Sequence, residues 1–313
     1  IGVRLVGSEM CIRDRNRLMN RIKGILYAAV SSSTFGLAPF FSLTLLLAGF
    51  SAFEVLSYRW GVATIALTLF GWCSGCSFRL EKKDFLVVLL LSLLRAVTSF
   101  SLLIAYQNIA TGVASTIHFM YPLAVSLVMM YFFQEKKSLW VMFAVFMSLL
   151  GAALLSSGEL EAKNGDTIVG LVAACVSVFS YAGYIVGVRM TCAVRINSTV
   201  LTCYVMGLGT VLYFIGALTT SGLRLVADGY TWLIILGLAL PATAISNITL
   251  VRAIKYAGPT LTSILGAMEP LTAVVIGVFV FKELFTLNSA IGIILILLAV
   301  SVVIFRKQKN ERV

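Results

Sequence analysis

STIHFMYPLAVSLVMMYFFQE (115–135) and SILGAMEPLTAVVIGVFVFKE (263–283) lie 148 residues apart and carry scarce residues in the same places. Ser115 aligns with Ser263, Met120 with Met268, Pro122 with Pro270, Leu123 with Leu271, Phe133 with Phe281 and Glu135 with Glu283. The coincidence of proline and glutamate weighs more than the number of identities, because the rest of both stretches is apolar. A shift of 146 lays Gly24 on Gly170, Ser31 on Ser177 and Phe35 on Tyr181. Self-similarity at a fixed period marks a repeated structural unit, so the chain reads as two halves.

What surrounds the repeat decides the solvent. Of 313 residues, 60% are hydrophobic and 12% are charged, and mean hydropathy is +1.00. A soluble globule of this length has too little polar surface at that composition. A soluble enzyme, a nucleic-acid binder and a disordered protein are excluded. A helix needs about 20 mainly apolar residues to cross about 30 Å of hydrocarbon. Ten segments qualify: 24–47, 53–73, 84–107, 112–133, 138–156, 167–189, 199–220, 230–252, 259–281 and 287–305. Continuous apolar runs exclude the alternating strands of a barrel. The expected fold is all-α integral membrane, ten transmembrane helices as two inverted five-helix repeats. Five is odd, so the second half enters from the opposite face, an arrangement common in secondary transporters.

The +11 formal charge is distributed by side. With the N-terminus inside, the inner segments hold Arg21, Lys23, Arg79, Lys82, Lys83, Lys136, Lys137, Arg189, Arg195, Arg252, Lys255, Arg306, Lys307, Lys309 and Arg312. The outer loops hold only Lys163, Arg224 and Lys282. The positive-inside rule then expects both termini in the cytoplasm and a multi-pass protein of the plasma (inner) membrane. Residues 1–15, IGVRLVGSEMCIRDR, are charged and aperiodic and resemble translated adapter sequence. Residues 1–18 are therefore read as a tail without order, 19–157 as the first repeat and 158–313 as the second with a short basic end. Cys73 and Cys76 form a lone CxxC with no second pair, which reads as ordinary packing rather than zinc ligation.

AYQNIATGVASTIHFMYPLAVSLVMMYFFQEKKSLWVMFAVFMSLLGAALLS (105–156) and AIKYAGPTLTSILGAMEPLTAVVIGVFVFKELFTLNSAIGIILILLAVSVVI (253–304) each run from a proline-containing helix to a glutamate, a short loop and a further small-residue helix. Both resemble the core of an EamA domain, and the chain resembles a ten-helix member of the drug/metabolite transporter superfamily. The resemblance implies a polytopic carrier, often an exporter of amino acids or other small metabolites, with a central cavity between the halves.

An ionisable group inside a span costs about 2.5–3.5 kcal/mol on insertion scales, so each is a site candidate. Arg95 sits mid-way along the third span with Ser92 and Ser99 on one face, and Glu269 mid-way along the ninth, before Pro270. At equal depth they read as a cavity pair that a zwitterionic solute splits, as an ion pair locking two helices, or as two charges that never meet. His118 lies with Ser115 and Tyr121 on one helix face. It suits proton coupling or a neutral bundle hydrogen bond. Pro122 and Pro270 each free a carbonyl that must face protein or a wet cavity, and paired breaks point to a transporter site or to packing kinks. Thr243 and Asn247 share a face of the eighth span, Ser177, Tyr181 and Tyr184 one of the sixth, and Ser31, Phe35 and Ser42 one of the first. Arg59, two turns from the outer surface, reads as snorkelling. Glu135 and Glu283 read as loop or gate anchors.

The expected function is alternating-access transport of a small polar or amphipathic solute, outward, with protons as a conceivable coupling ion. The expected partners are the lipid bilayer and a small-molecule substrate, with no nucleic acid and no cofactor. No nucleotide-binding motif suggests ATP drive. The rivals are a channel or non-transporting receptor and, behind them, a membrane-embedded enzyme. One histidine and one deep carboxylate are few tools for an enzyme, and no ring of like groups suggests a pore.

Overall fold

The computed structural model describes residues 2–109, 111–135, 139–156, 165–220, 222–266, 268–272, 275 and 287–310, with side chains described within 19–302. Every regular element among them is helical. In order these are α1 (Gly2–Phe35), α2 (Ala38–Leu47), α3 (Ala52–Cys73), α4 (Lys82–Asn108), α5 (Thr111–His118), α6 (Tyr121–Phe132) and α7 (Leu139–Ser156). After them come α8 (Thr167–Met190), α9 (Ser198–Thr220), α10 (Gly229–Ala239), α11 (Ser246–Ala257), α12 (Pro259–Leu265) and α13 (Leu287–Asn310). Among the described residues six stretches are long and apolar enough to cross a membrane: Met19–Leu47, Lys82–Asn108, Val113–Phe132, Thr167–Met190, Ser198–Thr220 and Gly229–Ala257. Leu139–Gly151 and Ala290–Val302 are shorter apolar helices. Of the expected span 259–281, the described part is α12 and a helical piece at 268–272. Glu283 lies outside the described residues.

The backbone of residues 2–18 continues α1 as helix, where the sequence reading expected no order. No proline interrupts Gly2–Phe35, so nothing in the backbone stops the helix from running on.

Leu47, Ile65, Trp72, Leu86, Phe179, Leu233 and Leu298 are among many large apolar side chains left exposed. An exterior of this kind is solvated by lipid rather than water. Polar caps mark the places where helices begin. The Asp166 carboxylate accepts from the amides of Ile168 and Val169 at 2.9 and 3.2 Å, and that of Asp228 from Thr231 N at 2.9 Å. At α3, Ser51 and Glu54 form a reciprocal capping box.

Four helices are broken, each beside a proline. The first span breaks at Gly36 and Leu37 ahead of Pro39. The fourth breaks at Phe119 and Met120 ahead of Pro122. The eighth loosens into a π-helical stretch, Leu240–Ile245, that contains Pro241. In the ninth, α12 ends at Leu265 and the chain turns at Gly266 ahead of Pro270. Proline supplies no N–H and clashes with the preceding turn, so each break is local chemistry.

The packing is symmetric between the halves. α4 lies along α8, and α11 lies along α1; each pairs the third span of one half with the first of the other. α3 packs on α9, α6 on α12 and α7 on α13. Buried hydroxyls stitch these seams. Ser31 Oγ donates to Ser246 O at 2.8 Å, and Thr98 Oγ1 to Ser180 Oγ at 2.9 Å.

One latch joins the loop before α3 to the loop before α10. Glu54 Oε2 accepts from Ser51 N and Oε1 from Arg224 N, both at 2.8 Å. The Arg224 guanidinium donates to Gly49 O at 2.9 Å and lies 5.0 Å from the Phe50 ring centre. Tyr58 donates its hydroxyl to Arg224 O. Glu54→Ala removes the cap and orphans two amides. It is expected to cost about 2 kcal/mol, read as a lower melting temperature of the detergent-purified chain. Glu54→Gln, which keeps one acceptor, is expected to lose less. Equal melting temperatures for wild type and Glu54→Ala would show that the latch contributes nothing.

Candidate functional site

The four breaks surround a buried polar cluster. Arg95 of α4 is 1% exposed. Its Nε donates to Asn247 Oδ1 at 3.0 Å, and Asn247 Nδ2 donates to Thr243 O at 2.7 Å. The guanidinium lies 4.9 Å from the Tyr181 ring centre, 5.8 Å from that of Tyr184 and 5.3 Å from that of Phe35. Cation–π contacts of this kind are worth up to about 2 kcal/mol when desolvated. They hold an arginine that, among the described residues, has no carboxylate within 4.0 Å.

Arg59 of α3 corrects the snorkelling reading. It is buried, its Nε donates to Thr243 Oγ1 at 2.7 Å, and it lies 5.5 Å from the same Phe35 ring centre. Thr243 Oγ1 in turn donates to Leu238 O at 2.7 Å, an i to i−5 bond set by the π-helical stretch. Arg59 thus points along the bundle interior, because its face of α3, with Val55, Leu56 and Ala63, is the buried one. Both guanidinium carbons are within 5.5 Å of one ring centre. Two like charges no further apart than twice that repel by at least about 1.5 kcal/mol at an effective dielectric constant of 20.

Glu269 is also buried. Arg95 is near enough for its charge to act on this carboxyl, yet among the described residues the two do not form an ion pair within 4.0 Å. Neither the locked pair nor a closed cavity pair between them is formed among the described residues. The Tyr121 and Tyr181 rings meet at 4.6 Å in a T-shaped contact. His118 stacks on Tyr181 at 5.4 Å. Its Nδ1 is 2.8 Å from Ser177 Oγ. Ser177 donates its hydroxyl hydrogen to Ala174 O at 2.6 Å, which assigns the proton of the pair to His118 Nδ1.

Two glycines that the sequence reading did not select hold the broken helices together. A Cβ on Gly36 would come within 2.6 Å of Glu269 O and 2.8 Å of Thr272 Cβ. A Cβ on Gly266 would collide with the Tyr121 hydroxyl. Tyr121 therefore reaches from the break beside Pro122 into the break ahead of Pro270, and both prolines are buried.

The structure brings Phe35, Tyr181, Tyr184 and Asn247 around Arg95, with Thr243 behind Asn247, and groups the rings of His118, Tyr121 and Tyr181. Ser99 turns instead toward the Tyr213 hydroxyl, which donates to Ala96 O at 2.7 Å. Glu135 accepts from Thr260 Oγ1 at 2.5 Å, an anchor between the two halves away from the cluster.

Two successive stretches of the chain, 22–157 and 168–305, each match the EamA-like transporter family. No curated protein matches the chain. A solved crystal structure superposes with a TM-score of 0.78 at 17% identity, covering 94% of this chain and 99% of the other. At that identity the likeness is one of fold.

Proposed function

The chain belongs to the EamA-like transporter family, a multi-pass membrane transporter whose domain occurs twice in it, and from that premise we propose a secondary carrier working by alternating access. It exports a small polar or amphipathic solute of the amino-acid kind across the plasma membrane. The observation that carries this reading is the buried cluster at the breaks: Arg95 and Glu269 are both buried with no ion pair between them among the described residues, and Tyr181 lies against both Arg95 and Tyr121. A zwitterion offers each charge the partner that the protein withholds.

The same proposal takes ten crossings in two inverted repeats: α1 with α2, α3, α4, α5 with α6, α7, then α8, α9, α10 with α11, the α12 segment and α13. In support, exchanging the halves maps the packing onto itself, α4 on α8 becoming α11 on α1. Residues 22–305 then carry transport, with 1–18 outside both repeats. Inverted symmetry lets one central site open to either face.

Counterflow tests the carrier. Liposomes holding the purified chain and loaded with one unlabelled L-amino acid are expected to accumulate the same labelled amino acid transiently, for at least one member of a standard panel. A pore or an enzyme gives no such overshoot. Orientation is tested separately, in a chain whose own cysteines are serines. Leu225→Cys is expected to react with an impermeant maleimide in intact cells, and Arg79→Cys only after lysis. Labelling of both in intact cells would overturn the topology.

A further inference from the structure

The geometry points to Arg59 and Arg95 as a two-pronged cradle for the carboxylate of the transported solute, an inference that rests on the carrier reading above. Each guanidinium is tethered by Nε to the segment around the π-helical stretch, Arg59 to Thr243 and Arg95 to Asn247. Tethering at Nε leaves the Nη edges, the side on which a guanidinium binds a planar two-oxygen acceptor. Arg59 Nη2 is fully buried and has no hydrogen-bond partner among the described residues. The Tyr184 hydroxyl, whose ring borders Arg95, is a second buried group without one. Buried donors of this sort are costly unless something accepts from them. Among the described residues no carboxylate lies within 4.0 Å of either arginine. Two neighbouring cations, one of them with a spare buried donor, form an anion site. The walls, Phe35, Tyr181 and Tyr184, suit an organic anion rather than a hydrated inorganic one. The π-helical turn is the device that makes the site. It places Thr243 and Asn247 so that one helix orients both prongs.

The experiment uses the full chain in detergent, at constant ionic strength in sodium HEPES, with sodium benzoate, neutral benzamide of the same shape, and sodium chloride. Saturating benzoate is expected to raise the melting temperature by about 3 °C, and benzamide and chloride to leave it unchanged. Arg59→Gln is expected to lose the benzoate shift while melting no lower than wild type without ligand, because one of two repelling charges is gone. Thr243→Val, which frees Arg59 from its tether, is expected to raise the benzoate concentration at half-shift about tenfold. The cradle is overturned by an absent benzoate shift, by an equal shift with benzamide, or by a shift that survives Arg59→Gln. An equal shift with chloride overturns the carboxylate assignment. Counterflow separates the two failures: overshoot without any benzoate effect leaves the carrier standing and removes the cradle, whereas absent overshoot removes the carrier whatever benzoate does.

Discussion

Arg95→Ala is expected to lower counterflow at least about 100-fold. Among the described residues the guanidinium donates to Asn247 and lies against three aromatic rings. In the proposed site it also meets the solute's carboxylate, and a charge-assisted hydrogen bond to that group is worth up to about 3 kcal/mol, which converts to roughly that factor in a binding step. Glu269→Gln is expected to lower transport as well, since it removes the opposite pole presented to a zwitterion. The double substitution separates site from scaffold. In a permanent ion pair, Glu269→Gln would restore most of the stability lost in Arg95→Ala. Here the charges do not touch, so less than half of the lost stability is expected to return, and transport is expected to stay low. Melting temperature and counterflow, measured on the same four proteins, give both readings. Recovery of both in the double variant would mean that the charges serve packing alone. Wild-type counterflow in both single variants would place neither residue in the site.

The sequence carried the membrane class, because hydropathy reports the solvent directly, and the doubled domain, because Pro122/Pro270 and Glu135/Glu283 recur in register. It also located Arg95, Glu269 and the Thr243/Asn247 face, since charge and amide groups inside apolar runs are rare enough to be noticed singly. It did not give partners. Equal depth left open whether Arg95 meets Glu269, because depth fixes one coordinate and helix rotation fixes another, and rotation put Asn247 against Arg95. Arg59 was misread for a related reason: distance from the membrane surface suggested a snorkelling side chain, whereas the buried face of α3 turns it inward. The π-helical stretch was not legible beyond the presence of Pro241. Its consequence, a threonine bonded to Leu238 O five residues back and free to accept from Arg59, depends on backbone geometry that no residue pattern states.

Gly266 shows a different kind of concealment and carries the second large expectation. At the 148-residue shift it lies opposite His118, so the two breaks differ at this position. The structure gives the difference a purpose. His118 occupies its own break with a ring bonded to Ser177 and stacked on Tyr181. The other break must stay empty of side chain, because Tyr121 from the first half fills it. Gly266→Ala places a methyl against the Tyr121 hydroxyl, 2.9 Å from Tyr121 Cζ and 2.8 Å from Ser263 O. The backbone itself is no obstacle, since φ at Gly266 is −56°; the cost is overpacking, about 1–3 kcal/mol. A lower melting temperature is therefore expected for Gly266→Ala, with transport at least tenfold below wild type, because Tyr121 can yield only by moving against Tyr181. Tyr121→Phe removes the colliding oxygen. In combination with Gly266→Ala it is expected to recover more than half of the lost stability, although Tyr121→Phe alone is nearly neutral for folding. That non-additivity, measured as a double-mutant cycle on melting temperature, is the signature of direct contact. Strict additivity of the two substitutions would mean that Tyr121 does not reach Gly266 in the membrane, and that the two breaks do not interlock.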